Sequence, residues 1–102
     1  MQVSFVQRQF NASDELKKLI EDKAERRFGH LLPDDSEIRV LLAAEKAKTV
    51  FEVSVTTWGE IFKSQETTAD LYPIIDVVLE KVERQIQKKK DMFQERRTGG
   101  RR

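Results

Sequence analysis

The sequence predicts an α+β domain in the order β-α-β-β-β-α, with two helices packed on one face of a four-stranded sheet. Three observations predict it. Residues 13–28 and 71–93 repeat apolar side chains at helical spacing, residues 49–57 alternate apolar with polar ones, and turn residues punctuate the segments between. A chain of 102 residues suits one domain rather than two. Residues 1–97 are expected to form it, with 98–102 as a disordered basic tail that holds no apolar residue.

Gln2 to Arg8 reads as a strand, with Val3 and Phe5 on one face and Ser4 and Val6 on the other. Ser13 is placed to cap a helix, Asp14 and Glu15 suit its positive end, and Gly29 is expected to stop it in a left-handed conformation. Leu16, Leu19, Ile20, Ala24 and Phe28 then share a face. Leu31-Leu32-Pro33-Asp34-Asp35-Ser36 is expected to be a connection, because Pro33 and the Asp/Ser cluster favour turns over a continued helix.

Ile38 to Lys46 is the second strand, with Ile38, Val40, Leu42 and Ala44 on one side. Thr49 to Thr57 is the clearest, because Phe51, Val53 and Val55 alternate with Glu52, Ser54 and Thr56. Trp58-Gly59 makes a tight turn and Glu60 to Thr67 returns as a hairpin partner. Asp70 is expected to cap a long final helix, which tolerates Pro73 in its first turn and runs to Met92 or slightly beyond. A right-handed crossover makes the first two strands parallel if they are neighbours, and the second face of the sheet stays open.

Composition excludes several function classes. There is no Cys, hence no disulfide, thiolate nucleophile or Cys-ligated metal. No apolar run approaches the ~20 residues that span a bilayer, and the first residues lack a signal-peptide pattern, so a cytoplasmic protein is expected. His30 is the lone histidine, placed to cap helix carbonyls rather than to serve a triad or a metal pair. No phosphate-loop, dinucleotide or EF-hand glycine pattern occurs. No catalysis, cofactor, metal or small-molecule substrate is expected.

The net charge of +1 hides an asymmetry. Nine basic residues from Lys81 onward against three acids leave that segment at +6 and residues 1–80 at −5. On a wheel at about 100° per residue with Val78 at zero, the apolar side centres near +40°, while Lys81, Arg84 and Lys88 fall near −60°, −120° and −80°. Asp76, Glu80, Glu83 and Asp91 lie on the far side. A one-sign row at i, i+3, i+7 suits a phosphate backbone, whereas a solvated helix usually mixes signs. Lys89, Lys90, Arg96 and Arg97 extend positive charge along the chain, which completes the set of candidate RNA-binding residues. Trp58 is expected to shield the hairpin turn, and Tyr72 to pack near the start of the last helix.

Gly59-Glu60-Ile61 after a strand, Asp70-Leu71-Tyr72-Pro73-Ile74-Ile75-Asp76 opening a helix, and Arg84-Gln85-Ile86-Gln87-Lys88-Lys89-Lys90 within it stand in order. They resemble the G-E-I, D-x-Y-x-x-I-D and R-Q-[LI]-x-K-x-K segments of the ribosome hibernation promoting factor and ribosome-associated inhibitor family, also called sigma-54 modulation proteins. The opening Met1-Gln2-Val3 and the first helix fit as well. Departures fall at Trp58, where the family often has a second Gly, at Lys89, often His, and at Pro73, where it has a helix-neutral residue.

The resemblance implies a fold akin to double-stranded-RNA-binding domains and a short-form member. Its implied partner is the small ribosomal subunit, through ribosomal RNA and ribosomal proteins, and its implied place is the decoding channel, where it blocks mRNA and tRNA sites in stationary phase or stress. The basic tail, unlike the acidic one of the ribosome-associated inhibitor branch, implies promotion of ribosome dimers. A monomer is expected off the ribosome, with no membrane partner. Two other readings stay open on the residues: a protein-interaction module that modulates a sigma factor, and a general RNA-binding domain.

Overall fold

The computed structural model describes the backbone of residues 1–99 and the side chains of residues 1–93. Its elements are β1 (Gln2–Arg8), α1 (Asp14–Phe28), β2 (Glu37–Glu45), β3 (Lys48–Thr57), β4 (Glu60–Thr68) and α2 (Leu71–Gly99), the expected order. The strands form one sheet in the order β1-β2-β3-β4. β1 and β2 pair in parallel through the α1 crossover, and the other two pairs are antiparallel.

Register carries the apolar alternation of each strand onto one face. Val3, Ile38, Val55 and Phe62 stand in line across the sheet, as do Phe5, Val40, Val53 and Ser64. Against these rows lie Leu16, Ile20, Ala24 and Phe28 of α1 and Leu71, Ile75, Val78, Leu79, Val82 and Ile86 of α2, all buried. Each large aliphatic or Phe side chain removed from water contributes about 1.5–3 kcal/mol, so this layer is the main stabilising term. Both helices run the same way: Lys23 meets Asp76, and one turn on in α1, two turns on in α2, Arg27 meets Glu83.

Two local expectations at helix ends are corrected. Ser13 caps α1 as expected, its hydroxyl accepting from Leu16 N at 3.0 Å. Gly29, however, is right-handed at φ −57°. The helix winds down because Leu31 N and Leu32 N both donate to the Phe28 carbonyl, which folds these two buried leucines back under the sheet. Glycine serves here for close approach: a Cβ would stand 2.6 Å from the Glu25 carbonyl oxygen. At the start of α2, the hydroxyl of Thr68 accepts from Asp70 N and donates to Asp70 O. The Asp70 carboxylate makes no capping bond to the first turn among the described residues.

α2 also runs past its expected end at Met92, to Gly99, because no Gly or Pro interrupts the chain between Pro73 and Gly99. The expected tail thus begins inside the helix, and residues 100–102 lie outside the described residues. At 1.5 Å per residue a 29-residue helix is about 43 Å long, whereas the nine residues of β4 beneath it span about 30 Å. α2 therefore outruns the sheet.

The β3–β4 turn is Trp58-Gly59, with φ of +53° and +73°. Positive φ at both central residues is what a type I′ hairpin requires, and Asn-Gly is the usual solution. Tryptophan in the left-handed region costs about 1–2 kcal/mol.

Candidate nucleic-acid interface

α2 positions the candidate row. Val78, Val82 and Ile86 are fully buried, which fixes the rotation of the helix and turns Lys81, Arg84 and Lys88 to solvent on the flank nearer β4. Gln85 on that flank donates to the Lys63 carbonyl at 3.0 Å, tying the helix to the outermost strand. Val77 and Met92, 40% and 42% exposed, extend the same flank before and after the cations.

Two of the three cations already have anionic neighbours. Lys81 Nζ is 2.7 Å from Glu66 Oε2 on β4, and Arg84 reaches Glu80 one turn back at 2.6 Å. Lys88 is exposed and has no carboxylate within salt-bridge distance among the described residues. Exposed pairs of this kind are worth about 0–1 kcal/mol, so a phosphate can displace the carboxylates at little cost. The row remains available, but it is guarded rather than bare.

The remaining candidates divide. Lys89 turns inward to Glu60 at 2.8 Å and lies 5.3 Å from the centre of the Phe93 ring, with 27% of its side chain exposed. Lys90 is half-buried and without a carboxylate partner among the described residues. Arg96 and Arg97 belong to α2 by backbone, and their side chains lie outside the described residues.

Two acids of α2, Asp76 and Glu83, face α1. Lys23 donates to Asp76 at 3.1 and 3.2 Å, and Arg27 donates to Glu83 at 2.8 Å. With Arg26 they line a shallow cleft of about 240 Å³ between the helices. Sequence reasoning passed over Lys23, Arg26 and Arg27. Their spacing of three and four residues, shared with the Asp76 to Glu83 repeat of one helix face, was the available signal.

Trp58 shields the turn as expected. Its ring meets Phe62 edge-on at 6.4 Å and Phe93 at 5.6 Å. Tyr72 differs from expectation: it is 59% exposed, because the first turn of α2 buries Leu71 and leaves the neighbouring position outside the core layer. His30 is exposed and donates to no helix carbonyl among the described residues. The open sheet face carries Arg39 and Lys63 with Glu37 and Glu52. No aromatic ring stands on it, so it offers no base-stacking platform. Among the described residues no three acidic or histidine side chains converge on a metal site, and no helix is long and apolar enough to cross a membrane.

The comparisons agree with this architecture. The family described as Sigma 54 modulation protein / S30EA ribosomal protein matches residues 3–94. A ribosome hibernation promoting factor from Azotobacter vinelandii is 29% identical over 104 residues, covering 99% of this chain and 94% of that protein. A ribosomal subunit interface protein from Coxiella burnetii superposes with a TM-score of 0.75 at 23% identity, over 89% of this chain and 99% of the other. The N-terminal domain of Protein Y from Thermus thermophilus gives 0.72 at 23% identity, over 85% and 93%.

Proposed function

Because the chain belongs to the Sigma 54 modulation protein / S30EA ribosomal protein family, we propose that it is a cytoplasmic, non-enzymatic ribosome hibernation factor. It binds the small ribosomal subunit at the decoding channel, covers the sites of mRNA and tRNA, and inhibits translation in stationary phase or stress. Promotion of ribosome dimers is the finer form of this reading. The observation that carries the RNA-facing part is the flank of α2 on which Lys81, Arg84 and Lys88 all point to solvent, held there by the burial of Val78, Val82 and Ile86.

Such a surface reads backbone rather than sequence. Cations on a rigid helix meet phosphate oxygens and release condensed counterions, and the absence of ring platforms on the described sheet face removes the usual means of reading single bases. Ribosomal RNA offers ordered backbone of fixed shape, which a preformed row can match without ordering cost.

Gradient sedimentation of a stationary-phase lysate tests the reading. Comigration with small subunits and whole ribosomes is expected, with release as salt is raised. Absence from every ribosomal fraction at low salt would overturn it and leave the sigma-factor module as the reading to pursue. Equal affinity for unrelated RNA duplexes would instead identify a general RNA binder.

A further inference from the structure

The end of α2 that carries Lys88 and Lys90 is not held by the core. Among the described residues Ile86 is its last fully buried one. Gln87 and Lys88 are exposed, and past them, among the described residues, Lys89 and Phe93 tie the helix to the body. Both contacts converge on the β3–β4 turn: Lys89 pairs with Glu60 at 2.8 Å, and Phe93 lies 5.6 Å from Trp58 with the rings 77° apart. Lys89 also sits over the Phe93 ring, and Phe62 supports Trp58 from the core side. The residue at the centre occupies a left-handed backbone position that disfavours it.

A ring kept in a conformation that Gly or Asn would adopt freely points to a task for the ring itself. We propose that Trp58, acting through Phe93 and Lys89, is a positioning residue that fixes the direction in which the part of α2 beyond Ile86 presents Lys88 and Lys90 to RNA phosphate. The proposal rests on the ribosome-binding reading. Trp58 touches no phosphate; it sets where the cations stand. One edge-to-face contact, Phe93 on Trp58, and one ion pair, Lys89 to Glu60, tie the helix to the turn a turn of helix apart, and Phe62 backs the Trp58 ring from β4.

The test uses Trp58→Asn, because Asn suits the first central position of a type I′ turn and removes the ring without harming the hairpin. In the free protein, amide hydrogen exchange in residues 87–93 should rise while that in residues 75–86 stays as in the parent. Binding of purified small subunits should weaken by about fivefold to tenfold, and the slope of log affinity against log salt should shrink by about one, the signature of a lost phosphate contact. Trp58→Phe, which returns an aromatic ring, should restore most of both. A role in stability alone predicts a lower melting temperature with unchanged affinity and slope for the folded variant; that result overturns the proposal. Unchanged exchange in residues 87–93 overturns it too, since the ring would then not hold the helix. If the parent protein itself fails to bind small subunits, the ribosome reading falls, and with it the purpose assigned to the bracket; parent binding with an unaffected variant rejects the bracket alone.

Discussion

Lys81 of α2 reaches across the helix–sheet boundary to Glu66 of β4, with Nζ 2.7 Å from Oε2. The cation that begins the candidate RNA-facing row is thus paired within the protein before any partner arrives. Binding phosphate means exchanging one anion for another, and the exchange is cheap because half of the Lys81 side chain is already in solvent.

Replacing Glu66 with Gln should therefore strengthen binding to small subunits by about twofold to fivefold at low salt, and leave thermal stability within about 0.5 kcal/mol of the parent. Filter binding alongside thermal melting checks both. Weaker binding by Glu66→Gln would mean that the carboxylate orients Lys81 rather than competing for it.

Reversing Arg84 and Lys88 to Glu should abolish inhibition in an in vitro translation assay while the protein still melts cooperatively, since both side chains are exposed and neither enters the core. Glu80 and Glu83 are unsuitable as opposite-charge controls, because they pair with Arg84 and Arg27. Glu37 and Glu45, exposed at the two ends of β2 on the open sheet face, serve instead. Changing both to Lys should alter inhibition far less than the Arg84/Lys88 reversal. Equal and opposite effects would favour net charge over the row.

Ser36 and Thr57 predict a stability effect remote from the interface. Their hydroxyls are 2.8 Å apart, with 1% and 5% of each residue exposed. Ser36→Ala or Thr57→Val alone should cost about 1–3 kcal/mol by stranding the remaining hydroxyl, and the double variant should cost clearly less than the two together. Additive losses in urea melts would show that the pair does not act as a unit.

Gly59→Ala tests the turn. At φ +73° a Cβ meets nothing within 4 Å, so any loss is conformational: about 1–2 kcal/mol, or a fall of several degrees in the melting temperature. An unchanged melting temperature would show that the turn relaxes into another type.

The elements were legible because each depends on local pattern. The period of Val78, Val82 and Ile86, the alternation through Phe51, Val53 and Val55, and the Trp58-Gly59 turn all appear within a few neighbouring residues. The rotation of α2 follows from it, which leaves Lys81, Arg84 and Lys88 exposed beside the buried stripe. What a helical wheel cannot see is the rest of the protein. Glu60 and Glu66 come from β4, and only the folded register brings them to Lys89 and Lys81. The same limit hid Leu31 and Leu32, which looked like loop residues beside Pro33 and are buried, and the exposure of Tyr72, which an aromatic ring alone does not foretell. Gly29 departs from the expected left-handed stop because glycine serves close approach as well as left-handed turns.

The Gln85 contact to the Lys63 carbonyl bears on how copies of this protein avoid one another. β4 is an outermost strand, and such strands template the growth of sheets between molecules. Here Gln85 occupies one of its backbone acceptors, and the Lys81–Glu66 pair stands over the same strand, so a foreign strand would have to displace both before pairing. The opposite border is β1, a seven-residue strand with Gln2, Ser4 and Arg8 exposed. Among the described residues β1 carries no such cover, and as the shortest strand of the sheet it offers a foreign strand the fewest backbone groups to pair with.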